Sequence, residues 1–371
     1  SRGLGDVYKR QFGRIFRLTD YGESHGAAMG GIIDGCPAGL WLDKEYVAEK
    51  VMLRRPGTRK FTSPRQEADT VEWLSGISEE GLTLGSPIGF LIRNTDARSD
   101  DYEQLRHIYR PGHADFVSDA KYGLREHRGG GRASARQTLC RVVGGAVAEL
   151  LLKHYDITVS AFLSGVGRQQ MACPYSVVPT PEQIQESPLF APTAEAEKAF
   201  TEVLTALQGK DSVGGRLSVI IRGLAAGIGS PVYDKLTARL AMAMMSINAA
   251  RGVEFGLGME SARCTGAEAI DEYSGITEDA AGKHLHTKEN RSGGIEGGIS
   301  TGEDICLSVA FKPTPTRPYK VNSINDAGEP CVINPGGRHD PCVAVRAVPV
   351  AEAMAALVIA DELLIARTVR L

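Results

Sequence analysis

The chain has 371 residues, and its 42% hydrophobic and 23% charged residues are ordinary values for a globular protein. The formal net charge of −3 argues against a general binder of nucleic acid or of anionic membrane surfaces, so we expect neither partner. At about 100–200 residues per domain, the length allows one large domain or two.

The basic residues are mostly arginine, which makes up 29 of the 42. Arginine suits bidentate contacts with phosphate and carboxylate groups, so we expect any anion to be met by local clusters. The seven cysteines are scattered and form no CxxC pair. This predicts buried thiols in a reducing, cytoplasmic compartment. No run reaches the ~18 apolar residues of a membrane span, and no secretory signal is visible.

The first residues, SRGLGDVYKRQ, start without Met and do not continue into the pattern that follows. We expect residues 1–11 to be a non-native leader. Residues 12–371 contain no long polar linker, so we expect a single domain of mixed α and β type.

In the first half, alternation predicts strands and four-residue recurrence of apolar residues predicts helices. Predicted strands cover Phe12–Leu18, Met29–Asp34, Thr70–Gly76 and Ser86–Arg93, and predicted helices cover Asp43–Arg55 and Ser134–Tyr155. Between the first two strands, TDYGESHG at Thr19–Gly26 predicts a loop that carries Ser24 and His25.

The second half repeats the order of a strand, a loop rich in Gly, Arg and His, and a core helix. Predicted strands cover Ile157–Gly165, Arg216–Gly223, Glu303–Phe311 and Val332–Asn334, and predicted helices cover Thr193–Gln208, Pro231–Ile247 and Pro349–Ala366. A capping box is predicted at Thr180. The polar, Gly-rich stretch Cys264–Gly298 predicts a long loop or lid. HRGGGR before one core helix and GGRHDP before another indicate an internal pseudo-repeat.

The stretch Arg110–Arg136 concentrates positive charge and backbone freedom. Three glycines at 129–131 precede the predicted helix, and Arg132 and Arg136 would share one helical face. A helix N-terminus with mobile backbone N–H groups favours an anion. The alternative is a flexible loop with solvated arginines. An RNA-binding RGG segment would be repeated and of low complexity.

Three histidines lie in turns rich in Gly, Pro or Arg: His25, His113 and His339. Histidine can give or take a proton near neutral pH, so these are candidates for acid/base work. A lone histidine is more often structural. The pattern HLHTKE at 284–289 is the nearest approach to a metal motif, and we expect no metal site.

Several familiar motifs are absent from the sequence. Ser24 and His25 are adjacent and would point apart on a strand, and no GxSxG elbow is present, so they are not a nucleophile pair. No P-loop occurs and no GxGxxG follows a strand, which argues against a nicotinamide-binding Rossmann domain. KPTPT at 312–316 offers an ammonium and two hydroxyls to a phosphate, or is a plain strand exit.

Eight blocks, in order from about Phe12 to Ala366, carry a specific resemblance. They are GESHG (22–26), RRPGT (54–58), RPGHAD (110–115), KYGLREHRGGGRASAR (121–136), MSINA (245–249), GGIEGGIS (293–300), KPT (312–314) and the run from GRHDPC to RAVP (337–349). Together they resemble the chorismate synthase family.

The resemblance implies a lyase that converts 5-enolpyruvylshikimate 3-phosphate to chorismate and phosphate by an anti-1,4-elimination, the last common step of the shikimate pathway. It implies a requirement for reduced FMN without net redox change, with NADPH as a flavin reductant in some members. It also implies an α+β fold, a β-α-β sandwich with central helices between two antiparallel sheets, and a homotetramer.

The resemblance also implies roles for particular residues. His25 would assist departure of the 3-phosphate, with Ser24 as a supporting hydroxyl. His113 would act near the flavin pyrimidine edge, and Asp340 would work with the flavin in removing the C6 proton. Flavin contacts would fall on Arg132, Ala133, Ser134, Asn248, Ala249, Gly297, Lys312, Pro313, Thr314, Pro315, Thr316 and Arg338, and nicotinamide nucleotide contacts on Arg54 and Lys60.

The sequence departs from the family pattern at two of these positions. Ala133 stands where many members have Ser, so its flavin contact would be through the backbone. Lys60 stands where Arg is frequent, which keeps the charge and loses the fork. A flavin-dependent reductase with net redox change and a non-enzymatic anion-binding module are the alternative functions.

Overall fold

The computed structural model of the chain describes residues 11–62, 67–95, 105–172, 175–176, 179–316, 318–334 and 340–369. Its strands are β1 Gln11–Phe12, β2 Arg17–Gly22, β3 Ala28–Asp34, β4 Glu72–Trp73, β5 Ile88–Arg93, β6 Ile108–Tyr109, β7 Thr158–Val166, β8 Gln169–Gln170, β9 Gly215–Arg222, β10 Ala250–Phe255, β11 Tyr273–Glu278, β12 Lys283–Thr287, β13 Ile295–Glu296, β14 Ile299–Ser300, β15 Ile305–Phe311, β16 Val321–Asn325 and β17 Pro330–Ile333. Its helices are α1 Lys44–Arg54, α2 Asp115–Tyr122, α3 Thr138–Lys153, α4 Pro181–Glu186, α5 Ala194–Leu207, α6 Leu236–Met245, α7 Gly266–Ala269 and α8 Val343–Ala366.

Two antiparallel sheets enclose a layer of helices. The first half of the chain forms a five-stranded sheet in the order β1-β2-β3-β5-β4, and the second half forms one in the order β10-β15-β9-β7-β8. Helix α3 packs on β2 and β3 of the first sheet, and α8 packs on β7 and β9 of the second. The predicted β-α-β sandwich is confirmed, and each half supplies one sheet and one long central helix.

Helix α8 lies at the centre of this layer. By length and composition it could cross a membrane, but 83% of its most apolar window is buried inside the fold. It begins at Val343, earlier than predicted, and contains Pro349 within the helix. A buried apolar setting keeps the helix intact although the proline removes one backbone donor.

One buried carboxylate fastens the start of the chain to α8. Asp361 accepts hydrogen bonds from the backbone N–H groups of Arg14, Ile15 and Phe16 at 2.7–3.0 Å. It also accepts one from Arg239 Nη2 at 2.7 Å. These bonds satisfy backbone donors that would otherwise be buried without partners.

This anchoring explains why the predicted strand Phe12–Leu18 is wrong. The chain breaks at Gly13, whose φ is +91°, and resumes as β2, so TDYG belongs to a strand and not to a loop. A Cβ at Gly13 would lie 2.0 Å from the carbonyl oxygen of Phe16, which only glycine avoids. The expected leader falls mostly on residues 1–10, outside the described residues; Gln11 pairs with Thr19 in the first sheet.

Other boundaries also differ from the prediction. The helix predicted at Pro231–Ile247 is α6 alone, and Val232 is exposed rather than inward. The predicted lid Cys264–Gly298 contains α7 and the β11–β12 hairpin, because a capping box at Thr265 and strand pairing organise it. Helix α2 was not predicted. The capping box at Thr180 is confirmed.

Candidate functional site

Ser24 and His25 lie on a tight turn between β2 and β3, as the glycine-bounded pattern predicts. The backbone N–H of Gly26 donates to the carbonyl of Glu23 at 3.0 Å, which closes the turn. Ser24 is 2% exposed and His25 is 9% exposed, so both side chains point into the protein.

Gly129 lies directly against this turn. A Cβ on Gly129, where φ is +64°, would sit 2.6 Å from His25 Nε2 and 2.9 Å from Ser24 Oγ. Ser24 Oγ also donates to the Gly129 carbonyl at 3.4 Å. A side chain at this position would displace the imidazole, so the first glycine of the triplet is needed for a close approach as well as for its φ.

The two arginines after the glycines do not share a helical face, and that prediction is wrong. Helix α3 begins only at Thr138; Gly131–Ala133 and Ala135–Gln137 are single 3₁₀ turns. Arg132 turns toward β2 and pairs with Asp20 at 2.5 Å. Arg136 pairs with Asp69, so the two arginines pair with different carboxylates.

Asp69 forms an ion pair with Arg136. Arg136 Nη2 donates to Asp69 Oδ1 at 3.0 Å, and both residues are buried. The other carboxylate oxygen, Oδ2, lies 3.8 Å from Arg54 Nη1. One carboxylate therefore serves two arginines that come from distant parts of the chain.

Arg54 ends α1 and is 2% exposed. Its Nε donates to Thr138 Oγ1 at 3.1 Å and its Nη2 to the Ala135 carbonyl at 3.0 Å, which joins α1 to the start of α3. Burial lowers the pKa of Arg54 to about 9, and repulsion from Arg346 acts in the same direction. Lys60, the second residue assigned to a nucleotide, is exposed.

Asp340 is held by an arginine that the sequence reading did not single out. Arg346 Nη1 donates to Asp340 Oδ2 at 2.9 Å, and Arg346 Nε donates to the Arg54 carbonyl at 3.3 Å. The backbone carbonyl of Asp340 accepts a hydrogen bond from Thr314 Oγ1 at 3.0 Å. These contacts bring Asp340 beside the Lys312–Thr316 segment. Arg338 and His339 lie outside the described residues.

The geometry around His113 fixes its tautomer. Nδ1 lies 3.2 Å from the Pro111 carbonyl, which can only accept, so Nδ1 carries the proton. Nε2, 3.3 Å from Thr316 Oγ1, is then the acceptor in the neutral ring. Burial lowers the pKa of His113 below its ordinary value, and the positive charge of Arg110 adds to that effect. His113 therefore presents a proton acceptor at neutral pH.

The residues expected to contact a flavin surround the His113 turn. Lys312 Nζ donates to the Gly112 carbonyl at 2.7 Å, and the Lys312 backbone N–H donates to Ala249 at 3.0 Å. Asn248 Nδ2 donates to the Ala133 carbonyl at 2.9 Å. Four motifs that are separated in the sequence therefore contact one another here.

The remaining flavin candidates differ in placement. Pro315 packs on Gly112, where a Cβ would lie 2.8 Å from the proline ring. Pro313 lies near Gly214, and Ser134 Oγ accepts from the Arg136 backbone N–H at 3.4 Å. Gly297 lies in the turn between β13 and β14, and the hydrogen bonds of the described residues do not tie it into this group.

These contacts close into a circuit, which we call the site ring. It runs through the residues His25, Gly129, Gly130, Arg110, His113, Thr316, Thr314, Asp340, Arg346, Arg54, Asp69, Arg136 and Asn94, and returns to the turn that carries His25. The step from Gly130 to Arg110 is a proximity and not a hydrogen bond, since a Cβ added to Gly130 would lie 4.0 Å from Arg110 Nη2. The ring joins two histidines, His25 and His113, with two carboxylates, Asp69 and Asp340, and four buried or half-buried arginines.

The sequence reading missed three members of the ring: Asp69, Asn94 and Arg346. Acidic partners could be expected in general terms, because buried arginines require nearby carboxylates and the chain has a net charge of −3. Which carboxylates and amides serve them depends on pairings between distant segments, and one sequence does not reveal those.

No group of three or more His, Cys, Asp or Glu side chains among the described residues is arranged to hold a metal ion. The two histidines of HLHTKE lie on β12. His284 Nδ1 contacts the Gly302 carbonyl at 3.0 Å, and His286 Nε2 contacts Thr277 Oγ1 at 2.7 Å. They stabilise the hairpin region.

Comparisons with known proteins agree with this architecture. The sequence model of the chorismate synthase family matches residues 16–364. Chorismate synthase from Christiangramia forsetii is 46% identical over 351 residues, covering 94% of this chain and 96% of the relative. That from Porphyromonas gingivalis is 48% identical over 363 residues, covering 96% of each. A crystal structure of chorismate synthase superimposes with a TM-score of 0.74 at 32% identity, covering 95% of this chain and 92% of the other.

The fold and these relatives identify an α+β enzyme that acts on a small molecule. The chain belongs to the chorismate synthase family, whose members are phosphate-eliminating carbon–oxygen lyases.

Proposed function

We propose that the chain catalyses the anti-1,4-elimination of phosphate from 5-enolpyruvylshikimate 3-phosphate, giving chorismate at the last common step of the shikimate pathway. The observation that carries the proposal is the site ring. It places His25, His113 and Asp340 in one circuit with buried arginines, although they come from three distant parts of the chain.

The reaction breaks two bonds. The C–H electron pair at C6 forms a new double bond, the ring double bond shifts, and the C3–O bond breaks with its pair on the departing phosphate. A proton leaves C6 and a stabilising charge is needed at the phosphate oxygen. The chain must therefore supply a group for each event and exclude water from both.

The substrate carries a phosphate and two carboxylates, and Arg136 and Arg346 supply positive charge. Their ordering by Asp69 and Asp340 fixes them before the substrate binds. Charge pairing counts for more in such a water-excluded site than in bulk solvent. Preorganised charges of this kind favour a transition state in which negative charge develops on the leaving oxygen.

We assign His25 to the departing phosphate. Its ring is packed against Gly129, and the Ser24 hydroxyl is tied to the same glycine. In its protonated form His25 stabilises the oxygen that leaves, and Ser24 keeps the turn against the glycine triplet. Proton transfer by a positioned side chain contributes about 10²–10⁴-fold to rates.

Asp340 and His113 take part in removing the proton from C6. Arg346 holds one oxygen of Asp340, which orients the carboxyl group for the proton lost from C6. His113, neutral at pH 7, offers Nε2 as an acceptor within the same ring. Its backbone N–H bonds to Arg110, so its turn is rigid.

The donors around the His113 turn fit reduced FMN. Lys312 offers an ammonium, Thr314 and Thr316 offer hydroxyls, and the residues Arg132, Ala133, Ser134, Asn248, Ala249, Gly297, Pro313, Pro315 and Arg338 complete the proposed set. An ammonium and hydroxyls suit a phosphate, and backbone groups suit the edge of a flavin ring. When bound, reduced FMN supplies transient electron density that weakens the C–O bond with no net redox change. Arg54 and Lys60 are proposed contacts for NADPH as its reductant.

We further propose a cytoplasmic homotetramer with no nucleic-acid or membrane partner. The support is the family resemblance together with the composition, which carries a net charge of only −3.

An anaerobic assay tests the function. The protein is mixed with 5-enolpyruvylshikimate 3-phosphate and chemically reduced FMN, and phosphate release and chorismate absorbance are followed. We expect both products to form together. No product would favour a simple anion-binding module. In a parallel assay that contains NADPH, consumption of NADPH in step with product would favour a reductase. Repeating the assay with oxidised FMN and NADPH tests whether the chain reduces its own flavin.

A further inference from the structure

Asn94 follows the last residue of β5 and uses every hydrogen-bonding group of its side-chain amide. Nδ2 donates to the Gly26 carbonyl at 2.8 Å and to the Glu23 carbonyl at 3.0 Å. Oδ1 accepts from Arg136 Nε at 2.6 Å. The backbone N–H of Asn94 donates to the Ala27 carbonyl at 3.1 Å.

The two carbonyls that Nδ2 binds bracket Ser24 and His25 in the sequence. They are therefore the two ends of the turn that carries the histidine. Asn94 fastens this turn from one side while Gly129 contacts the imidazole from the other. The position of the His25 ring depends on both supports.

The same amide also orients Arg136. With Nε held by Asn94 and Nη2 held by Asp69, the guanidinium plane has one orientation. A planar fork fixed at two nitrogens is a defined partner for an anion. One side chain thus sets the relative placement of a cationic group and the histidine turn.

We propose that Asn94 is a positioning residue for His25, because it fixes the position of the histidine turn relative to Arg136. The inference rests on the proposed function in taking His25 as the group that acts on the phosphate. Only a side chain with two donors and one acceptor at this spacing can make all three contacts. Asparagine provides these groups; aspartate does not.

The variant Asn94→Asp separates the contact with Arg136 from the contacts with the histidine turn. It keeps an oxygen for Arg136 and replaces the donor to Glu23 and Gly26 by a second acceptor, which repels both carbonyls. We expect the His25 ring signals in NMR spectra of the substrate-free protein to shift, with assignment from His25→Gln. In the anaerobic assay with reduced FMN, we expect kcat to fall by about 10²-fold, the scale of a small misplacement, while KM changes little.

The matched control is Asn290→Asp. Asn290 Nδ2 also donates to a backbone carbonyl, that of Asp304 at 2.8 Å, but in the second sheet's loops. The same chemical change there should leave the His25 signals and kcat as in wild type. A shift of the His25 signals equal to that of Asn94→Asp would show a general loss of structure and overturn the assignment.

If Asn94→Asp fails to fold, Asn94→Ser is the second variant, because a hydroxyl can donate to only one of the two carbonyls. It should shift the His25 signals in the same direction and lower kcat less. Unchanged His25 signals and wild-type kcat in a folded Asn94 variant would contradict the proposal. The NMR measurement needs no turnover, so a wild-type protein that makes no chorismate would sink the proposed function while leaving the positioning test intact.

Discussion

Arg136 and Asp69 form a buried ion pair, with 3.0 Å between Nη2 and Oδ1 and no solvent exposure of the Asp69 side chain. The same carboxylate faces Arg54 at 3.8 Å. Two buried arginines from distant parts of the chain thus share one acidic residue. Removing the Asp69 carboxylate leaves Glu67 Oε2, 3.7 Å from Arg136 Nη2, as the remaining buried partner of Arg136, so two buried positive charges lose most of their compensation, which is far more costly than losing a surface pair.

Replacing Asp69 by Asn should therefore lower the free energy of unfolding by about 3–5 kcal/mol, as measured by urea denaturation. The backbone φ of Asp69 is +49°, which Asn also tolerates, so the change tests charge and not strain. Asp34→Asn is the control. Its partner Arg17 and Asp34 itself are each more than a third exposed, and its loss should cost at most about 1 kcal/mol. Equal effects in both variants would contradict the buried-pair account.

His113 should titrate below its ordinary value of 6.5, because partial burial and Arg110 disfavour the charged ring. A lowered pKa means that the unfolded chain binds the proton more readily. The contribution of His113 to stability is then complete above pH 6.5 and is lost as the pH falls through the folded pKa. A pH titration of the ring signals by NMR, assigned with His113→Gln, measures it. A midpoint above 6.5 would contradict the neutral acceptor proposed at pH 7.

Glu352 on α8 lies 3.1 Å from Lys50 on α1. Lys50 also pairs with Glu149. Burial raises the pKa of Glu352 to about 7, against the attraction of Lys50. The folded state therefore holds a proton that the unfolded chain releases, and stability should decrease as the pH rises from about 4.5 to about 7.

Glu352→Gln removes this titration. The variant should lose less stability than wild type across that window and should be the more stable protein above pH 7. Urea midpoints at several pH values measure the difference, with the exposed Glu72→Gln as control. A variant whose midpoint falls with pH as steeply as wild type would refute the assignment.

His25→Ala should lower turnover by about 10²–10⁴-fold with little loss of fold, because we propose that the imidazole assists phosphate departure. Near-wild-type turnover of this variant would remove the assignment.

Asp340→Asn should retain substrate binding and block C–H cleavage, since Arg346 still has an oxygen to contact while the acidic group is gone. Isotope exchange at C6 together with a binding titration separates the two steps. Retained turnover would rule out the role given to Asp340.

The sandwich and most of its elements could be predicted from the sequence, because apolar periodicity records which face each element buries. The start of the chain could not, since the break at Gly13 depends on Asp361, which is more than 340 residues away in the sequence. Helix α3 starts late for a similar reason. The residues before it form 3₁₀ turns whose arginines are drawn to Asp20 and Asp69.

The candidate site could be predicted in part. His25, His113 and Asp340 were identified from motifs, and the structure joins them in one ring. Of the residues that orient them, Asn94 belongs to no recognised motif, and Arg346 lies in the RAVP block without a role that the sequence alone assigns; both act through contacts between distant segments. Gly297 and Lys60 stay predictions, because no described hydrogen bond ties either into the ring.

The most direct test of the central claim is the electron balance of the reaction. Limiting reduced FMN is mixed anaerobically with excess 5-enolpyruvylshikimate 3-phosphate, and chorismate, phosphate and flavin absorbance are recorded in one cuvette. We expect equal amounts of chorismate and phosphate, many turnovers per flavin, and a flavin that is still reduced at the end. Product that stops at one equivalent of flavin, with the flavin oxidised, would contradict it.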